Sequence, residues 1–315
     1  MTMLRFVKMV GTGNDFVVLE APRASRRRGR APSPRWRALA RRMCDRHRGI
    51  GADGLLVIGP SRRATARMSI FNADGSEAEM CGNGARCVAR LVHRRLSRRG
   101  EPVTLETRGG LLEAAVEGDR VRMRMPEPRG LRLGLRLRAL GRTFRADFVN
   151  TGVPHLVIEV PALERADVAQ LGRALRRHPA FSPAGTNVNF IEPASPRSTH
   201  FRIRTYERGV EAETLACGTG VTAAAVMRAV RLSGGRGGPM RLRARTRSGE
   251  QLVVTVDMGP SPGSPAVRAA VLEGPARIVF RGEFPVSGFP ARRNGANVTG
   301  RAGRTARPDL GRTRR

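Results

Sequence analysis

Two short segments of the chain carry residues able to do chemistry, and they resemble each other. Met80-Cys81-Gly82-Asn83-Gly84 returns as Ala216-Cys217-Gly218-Thr219-Gly220. Each copy follows an acidic stretch, Glu77-Ala78-Glu79 or Glu211-Ala212-Glu213, and each runs into a helical pattern. A cysteine at the start of a helix meets unpaired N–H groups and the positive end of the helix dipole, which favour the thiolate and lower its pKa. The glycines beside Asn83 and Thr219 leave those N–H groups open to a carboxylate. One such segment suggests a nucleophile or a redox centre. Two, related by duplication, suggest an acid–base pair on opposite faces of one carbon. As thiolate, one group removes a proton while the other, as thiol, returns one. Inversion of an amino-acid α-carbon needs this arrangement, and the N–H dipoles stabilise the charge that the carboxylate gains as the carbanion forms.

The other cysteines point elsewhere. A free cysteine is most often a small buried hydrophobe, and Cys44 and Cys87 read that way. A redox pair predicts Cys-x-x-Cys or a resolving cysteine close by, and the chain has neither. Cys81 and Cys87 are six apart and Cys217 has no other Cys or His close by, so no metal site is expected. Lys8 is the only lysine, a poor Schiff-base candidate, so no cofactor is expected either. Among the histidines, His155 in Val153-Pro154-His155 is singled out as a supporting residue.

The elements that position these residues follow from the repeat. After the first motif, Ala85, Val88, Ala89, Val92 and Leu96 fall at helical spacing, with Gly100 as a stop. After the second, residues Val221 to Leu232 are Ala and Val on nearly all sides through the first turns, the pattern of a helix buried all round. Thr107-Arg108-Gly109-Gly110 resembles Thr246-Arg247-Ser248-Gly249, and each precedes an alternating apolar run, Leu112 to Val121 and Leu252 to Val256, that reads as strand. Gly11-Thr12-Gly13-Asn14-Asp15-Phe16 loosely echoes Gly185-Thr186-Asn187-Val188-Asn189-Phe190. The expected fold is α+β, with two similar halves, each a curved sheet wrapped around a central helix, and both helix N-termini facing one cleft. The expected boundaries are 1–130 with Cys81, 131–285 with Cys217 and a last strand that packs back on the first half, and a disordered basic tail at 286–315. An Arg-rich loop at 23–37 precedes an expected helix from Trp36 to Arg46.

The chain has 315 residues and is 40% hydrophobic, enough for two cored halves. It has 58 Lys plus Arg against 26 acids, a formal charge of +32. Basic patches attract polyanions, but the arginines are spread along the chain and aromatics make up only 4%, too few for base-stacking platforms. Nucleic-acid binding beyond charge attraction is therefore not expected. The N-terminus has no apolar core of signal-peptide length and no apolar run is long enough for a membrane span, so the expected compartment is the reducing cytoplasm.

Taken together, Gly11 to Phe16, Phe71-Asn72-Ala73-Asp74-Gly75-Ser76, Met80 to Arg86, Asn187, Tyr206-Glu207-Arg208-Gly209 and Glu213 to Gly220 resemble diaminopimelate epimerases, in order, over about residues 3 to 284. The resemblance implies interconversion of LL- and meso-2,6-diaminopimelate in lysine and peptidoglycan precursor synthesis, usually by a homodimer. It implies Cys81 and Cys217 as the acid–base pair and the backbones of Gly82-Asn83 and Gly218-Thr219 as the cradle of the reacting carboxylate. It places Asn14, Asn72 and Asn187 in the substrate pocket, Arg208 on the distal carboxylate, and Glu207 and His155 near the reacting centre and its amino group. Val153 stands where many members have Asn, and Gly54 where some have Gln. A proline or hydroxyproline racemase-type enzyme shares the two-cysteine logic, but Gly-Thr-Gly-Asn-Asp-Phe and Tyr-Glu-Arg-Gly argue against it. A nucleic-acid-binding protein on an inactive scaffold is the alternative of a different class, and the intact cysteines argue against that.

Overall fold

The computed structural model describes residues 2–21, 34–96, 101–259 and 266–286. Most of the Arg-rich segment at 23–37, Gly100 and the tail from 287 onward lie outside the described residues.

The first half runs β1 (Thr2–Gly11), β2 (Asn14–Glu20), α1 (Pro34–Cys44), β3 (Gly54–Gly59), β4 (Ala66–Asn72), β5 (Glu77–Ala78), α2 (Gly82–Leu96), β6 (Val103–Thr107), β7 (Gly110–Glu117) and β8 (Arg120–Arg124). The second runs β9 (Arg129–Ala139), β10 (Arg142–Asn150), β11 (Pro154–Glu159), α3 (Val168–Arg176), β12 (Asn187–Pro193), β13 (His200–Glu207), β14 (Ala212–Thr214), α4 (Gly218–Ser233), β15 (Gly238–Arg245), β16 (Gln251–Gly259) and β17 (Ala266–Pro275). A last strand, β18 (Arg277–Val286), returns to pair antiparallel with β1. The eighteen strands of the described residues form one continuous sheet, with β17 against β8 as the hydrogen-bonded seam between the halves. No helix among the described residues is long and apolar enough to cross a membrane.

Strand registers show how the duplication is built. Parallel β2–β3 pairs Phe16 with Gly54, and parallel β11–β12 pairs His155 with Asn187. Antiparallel β3–β4 pairs Leu55 with Phe71, and β12–β13 pairs Val188 with Tyr206. Phe71 then pairs with Glu77, and Tyr206 with Glu213. Counting along these ladders makes Asn14 equivalent to Val153, Phe16 to His155, Gly54 to Asn187, Asn72 to Glu207, Cys81 to Cys217 and Arg86 to Thr222. The echo between 11–16 and 185–190 is therefore not structural: 11–16 corresponds to 150–155, and 185–190 belongs with the start of β3.

Each half has an inner and an outer core. In the first, α2 places Ala85, Val88, Ala89 and Val92 against Val18, Leu56, Met68, Leu105 and Met123. In the second, Val221, Ala223, Ala225, Val226 and Ala229 of α4 pack on Val149, Ile203, Leu242, Val254 and Leu272. Small side chains let the sheet close tightly around α4, whose residues are buried on every side through its first three turns. On the outer faces α1 covers Leu55, Val57 and Phe71, and α3 covers Val188, Phe190 and Tyr206. Each fully buried Leu or Val stabilises the fold by about 1.5–3 kcal/mol. Two helices differ at their ends from the sequence expectation. The first begins at Pro34, whose fixed φ suits an opening turn, and stops at Cys44; α4 begins three residues earlier than the apolar run, because Gly218 to Gly220 form its first turn.

Helix α3 is clamped to β13 at Gly172, where an added Cβ would stand 2.5 Å from the Tyr206 Cβ. Tyr206 is buried and precedes Glu207, so this contact sets the height of the strand that enters the cleft. Gly172→Ala should destabilise the protein by about 1–3 kcal/mol, the usual cost of overpacking a close contact. Urea unfolding with an unchanged midpoint would show that α3 is not seated this closely.

Candidate active site

The two cysteine motifs fold alike. Ala85 N–H bonds the Cys81 carbonyl at 2.8 Å, and Val221 N–H bonds the Cys217 carbonyl at 2.9 Å, the opening hydrogen bonds of α2 and α4. The Gly84 N–H points at Cys81 Sγ at 3.4 Å, as in an N-cap. Cys217 is itself the residue that caps α4, and its Sγ lies 3.3 Å from Thr219 Oγ1. The acidic residue four positions before each cysteine is tied to the Thr-Arg turn of its own half. Glu77 pairs with Arg108 at 3.2 Å, and Glu213 pairs with Arg247 and, through both oxygens, with Arg204. The repeat in the sequence is thus a repeated buttress under each cysteine.

The helix starts meet at the seam. Asn83 Nδ2 donates to Asn14 Oδ1 at 2.6 Å and to the Ala216 carbonyl at 3.3 Å, reaching from α2 to the residue before Cys217. A Cβ on Gly218 would lie 3.9 Å from Asn83 Oδ1. Glu207 stands close enough to raise the pKa of both thiols, and Cys81 raises that of Cys217. Cys81, Cys217, Asn14, Asn83, Glu207 and Gly218 are therefore one cluster.

A second cluster adjoins it. Asn187 Oδ1 accepts from the Arg208 N–H at 2.8 Å, and Asn187 Nδ2 donates to the Pro154 carbonyl at 2.9 Å. Arg208 Nη1 reaches the Ala184 carbonyl at 3.1 Å and leaves its guanidinium half-buried. His155 is fully enclosed, with Nδ1 3.2 Å from Asn189 Nδ2. Asn189 lies under the first turn of α4, where a Cβ on Gly220 would come within 2.3 Å of its Oδ1. Asn72 is exposed and donates to Ser76 Oγ at 2.9 Å; no bond joins it to either thiol motif.

The electrostatics differ from the sequence expectation in one respect. Burial pushes Cys81 and Cys217 above the ordinary thiol value, and Glu207 pushes them further. The Gly84 and Asn83 N–H groups act downward on Cys81, and the Thr219 hydroxyl and Gly220 N–H act downward on Cys217, without overcoming burial. The helix ends thus lower the cost of a thiolate while desolvation sets the net direction. Burial also raises Glu207, and it lowers His155 to about 3 with help from the Arg208 charge, leaving a neutral imidazole. Cys44 and Cys87 are pushed by burial up to about 12 and sit in the cores.

No cluster of three or more His, Cys, Asp or Glu among the described residues is placed to hold a metal ion. The lone lysine is spoken for: Lys8 Nζ bonds Asp15 at 2.7 Å and the Gly51 carbonyl.

A family model described as diaminopimelate epimerase matches residues 6–130 and 148–278. A diaminopimelate epimerase of Aquifex aeolicus is 38% identical over 295 residues, covering 89% of this chain and 98% of the relative. One from Methanothrix thermoacetophila is 40% identical over 294 residues, covering 90% and 96%. The chain belongs to the diaminopimelate epimerase family. Solved structures widen the fold group. A phenazine biosynthesis protein of the PhzF family from Bacillus anthracis superposes with a TM-score of 0.67 at 15% identity, over 91% of this chain and 100% of that one. A hydroxyproline epimerase from Agrobacterium vitis, with bound trans-4-hydroxy-L-proline, gives 0.64 at 19%, over 90% and 91%. At such identities these two share the fold alone.

Sequence reasoning missed Arg86, Thr12 and Asn189, which tie the site together from beneath. No local pattern marks them: Thr12 stands in the turn between β1 and β2, and the burial of Arg86 and Asn189 is set by tertiary packing.

With both thiols raised, the substrate-free protein should hold them protonated at neutral pH. Alkylation of Cys81 by iodoacetamide, followed by mass spectrometry of its peptide, should climb only above pH 9.0, the ordinary thiol value. A rate already at its plateau at pH 7 would show that the helix N–H groups outweigh burial.

Proposed function

We propose that the cleft inverts one α-carbon of 2,6-diaminopimelate, interconverting the LL and meso forms, with Cys81 and Cys217 as the two bases. Epimerisation of this amino acid is the activity that family membership carries; the residue roles are our reading of the geometry. The observation that carries it is the meeting of two equivalent cysteine-capped helix N-termini from opposite halves. A substrate carboxylate laid across Gly82-Asn83 and Gly218-Thr219 would receive N–H donors from both helices. That places the α-carbon between the two sulfurs.

Glu207 then has a specific task. In the free protein its charge opposes thiolate formation at both cysteines. The arriving α-ammonium group pairs with Glu207 and cancels that field, so one thiol gives up its proton to solvent as the substrate binds and the thiolate forms only in the complex. One thiolate takes the α-proton, and the opposite thiol delivers its own to the other face. The sulfurs have then exchanged roles, which serves the reverse reaction. No electron sink is called for beyond the N–H donors around the carboxylate, so the reaction is proposed to run without a cofactor.

The distal end sets specificity. Arg208 presents a planar pair of donors to the second carboxylate, with Asn187 fixing its backbone and Asn72 on the rim offering an amide. His155 supports the wall through Asn189. Val153, equivalent to Asn14, contributes no polar contact, which leaves the distal grip to the other residues.

We further infer a cytoplasmic homodimer. Met3, Val279 and Phe280 expose apolar surface on the paired β1 and β18, and burying that surface against a second copy would account for it. Nucleic acid is not a proposed partner; tight duplex binding at physiological salt would contradict that.

The roles are tested by substitution. Cys81→Ala and Cys217→Ala should each abolish epimerisation, and each should still exchange the α-proton of the stereoisomer that the remaining thiol faces. Arg208→Lys should lower kcat/KM on diaminopimelate by about 2–3 kcal/mol, the order of a lost charge-assisted hydrogen bond. Wild-type turnover of proline at a comparable rate, or a cysteine variant near wild-type activity, would refute the assignment.

A further inference from the structure

Arg86 is the most enclosed charged side chain among the described residues, fully buried on α2 five residues after Cys81. Its Nη2 donates to Asn83 Oδ1 at 2.8 Å and to Thr12 Oγ1 at 2.6 Å. Its Nε and Nη1 have no hydrogen-bond partner among the described residues. Nor does any carboxylate there come within ion-pair distance. Such a group is expensive to bury, and hydrophobic packing of the same volume is often as stable or more so. The equivalent position in the second half is Thr222, which simply bonds the Gly218 carbonyl at 2.9 Å. The fold therefore does not require an arginine here.

The guanidinium crosses the seam between the halves. A Cβ on Gly274 of β17 would stand 3.1 Å from Nε, and one on Gly218 would stand 3.8 Å from Nη1. Gly218 is the first residue of α4 and part of the proposed carboxylate cradle. Through Asn83 the same arginine holds the bridge to Asn14 and to the carbonyl before Cys217. The ionisable groups that act on it are Cys87, Cys81 and Glu250, none of which offsets its charge by contact. Around Cys81 the acting charges are Glu207, which opposes the thiolate, and Arg86, which favours it.

We propose that Arg86 is a positioning residue for both thiols: one fixed cation that locks the two helix N-termini together through Asn83 and supplies the positive charge against which the bound carboxylate and its developing negative charge are held. The inference rests on the carboxylate placement proposed above. The free protein carries this charge uncompensated, and the substrate completes the pair. A site without an electron-sink cofactor gains most from such a charge, since removing the α-proton spreads negative charge over the α-carbon and the carboxylate alone.

The test sets stability against activity. Arg86→Met removes the charge and keeps the bulk. Its thermal midpoint should equal or exceed that of the wild type, while kcat on diaminopimelate falls at least a hundredfold with a smaller change in KM. Arg86→Lys keeps the charge but loses the fork, so it should be less stable than Arg86→Met yet at least tenfold more active. In the absence of substrate, the pH limb of Cys81 alkylation should move upward by about one unit in Arg86→Met, the scale of one nearby charge, and stay near wild type in Arg86→Lys. Activities that follow the stability order, an Arg86→Met variant that fails to fold, or superimposable alkylation profiles would each overturn the proposal. Because alkylation needs no substrate, wild-type protein inactive on diaminopimelate would sink the functional reading alone.

Discussion

Two helix N-termini do not come together without cost. Each carries about half a positive charge from its aligned peptide dipoles and unpaired N–H groups, so α2 and α4 repel where they meet. The rest of the structure answers to that repulsion. A continuous sheet sewn through β8 and β17 forces the two ends together, Asn83 bridges them with its amide, and the cysteines place polarisable sulfur at both caps. Under the proposed reading a substrate carboxylate laid across both helix starts relieves that repulsion.

The second constraint is desolvation. Sulfur at a helix end is commonly read as activated, yet here burial outweighs the N–H groups and both thiols stand above their ordinary value. This resolves a practical difficulty for a two-thiol site. A thiolate held permanently in the open cleft would oxidise or alkylate, whereas a thiol that ionises only beside a bound ammonium group is protected until needed. In the proposed reading Glu207 is the gate, because its charge acts on both sulfurs and the substrate ammonium group neutralises it.

The duplication was legible from the sequence because its chemistry repeats in register. The Cys-Gly-x-Gly segments return with an acid four residues before each cysteine and a Thr-Arg turn after each helix, and the structure joins acid to turn as ion pairs, Glu77 with Arg108 and Glu213 with Arg247. The buried start of α4 was equally readable, since Ala and Val lie on nearly all sides of its first turns. Strand pairing was not: the echo of 11–16 in 185–190 was chance, because hydrogen-bond register depends on partners far apart in sequence. Nor was the support beneath the site. Arg86 and Asn189 gain their meaning from burial, and burial of a lone polar residue is decided by tertiary packing that no local pattern records. The net direction of the thiol pKa shifts escaped for the same reason.

The central claim is that two opposed thiols, not one, handle the proton. Incubation of the reduced protein with LL-diaminopimelate in heavy water, sampled early and resolved by stereoisomer and mass, tests it most directly. The account predicts meso product carrying one solvent deuterium at the inverted carbon while the remaining LL substrate stays unlabelled, because the base that removes the proton is not the acid that returns one. Deuterium entering the remaining LL substrate as fast as it enters the product would show a single base working on one face, and would contradict the account.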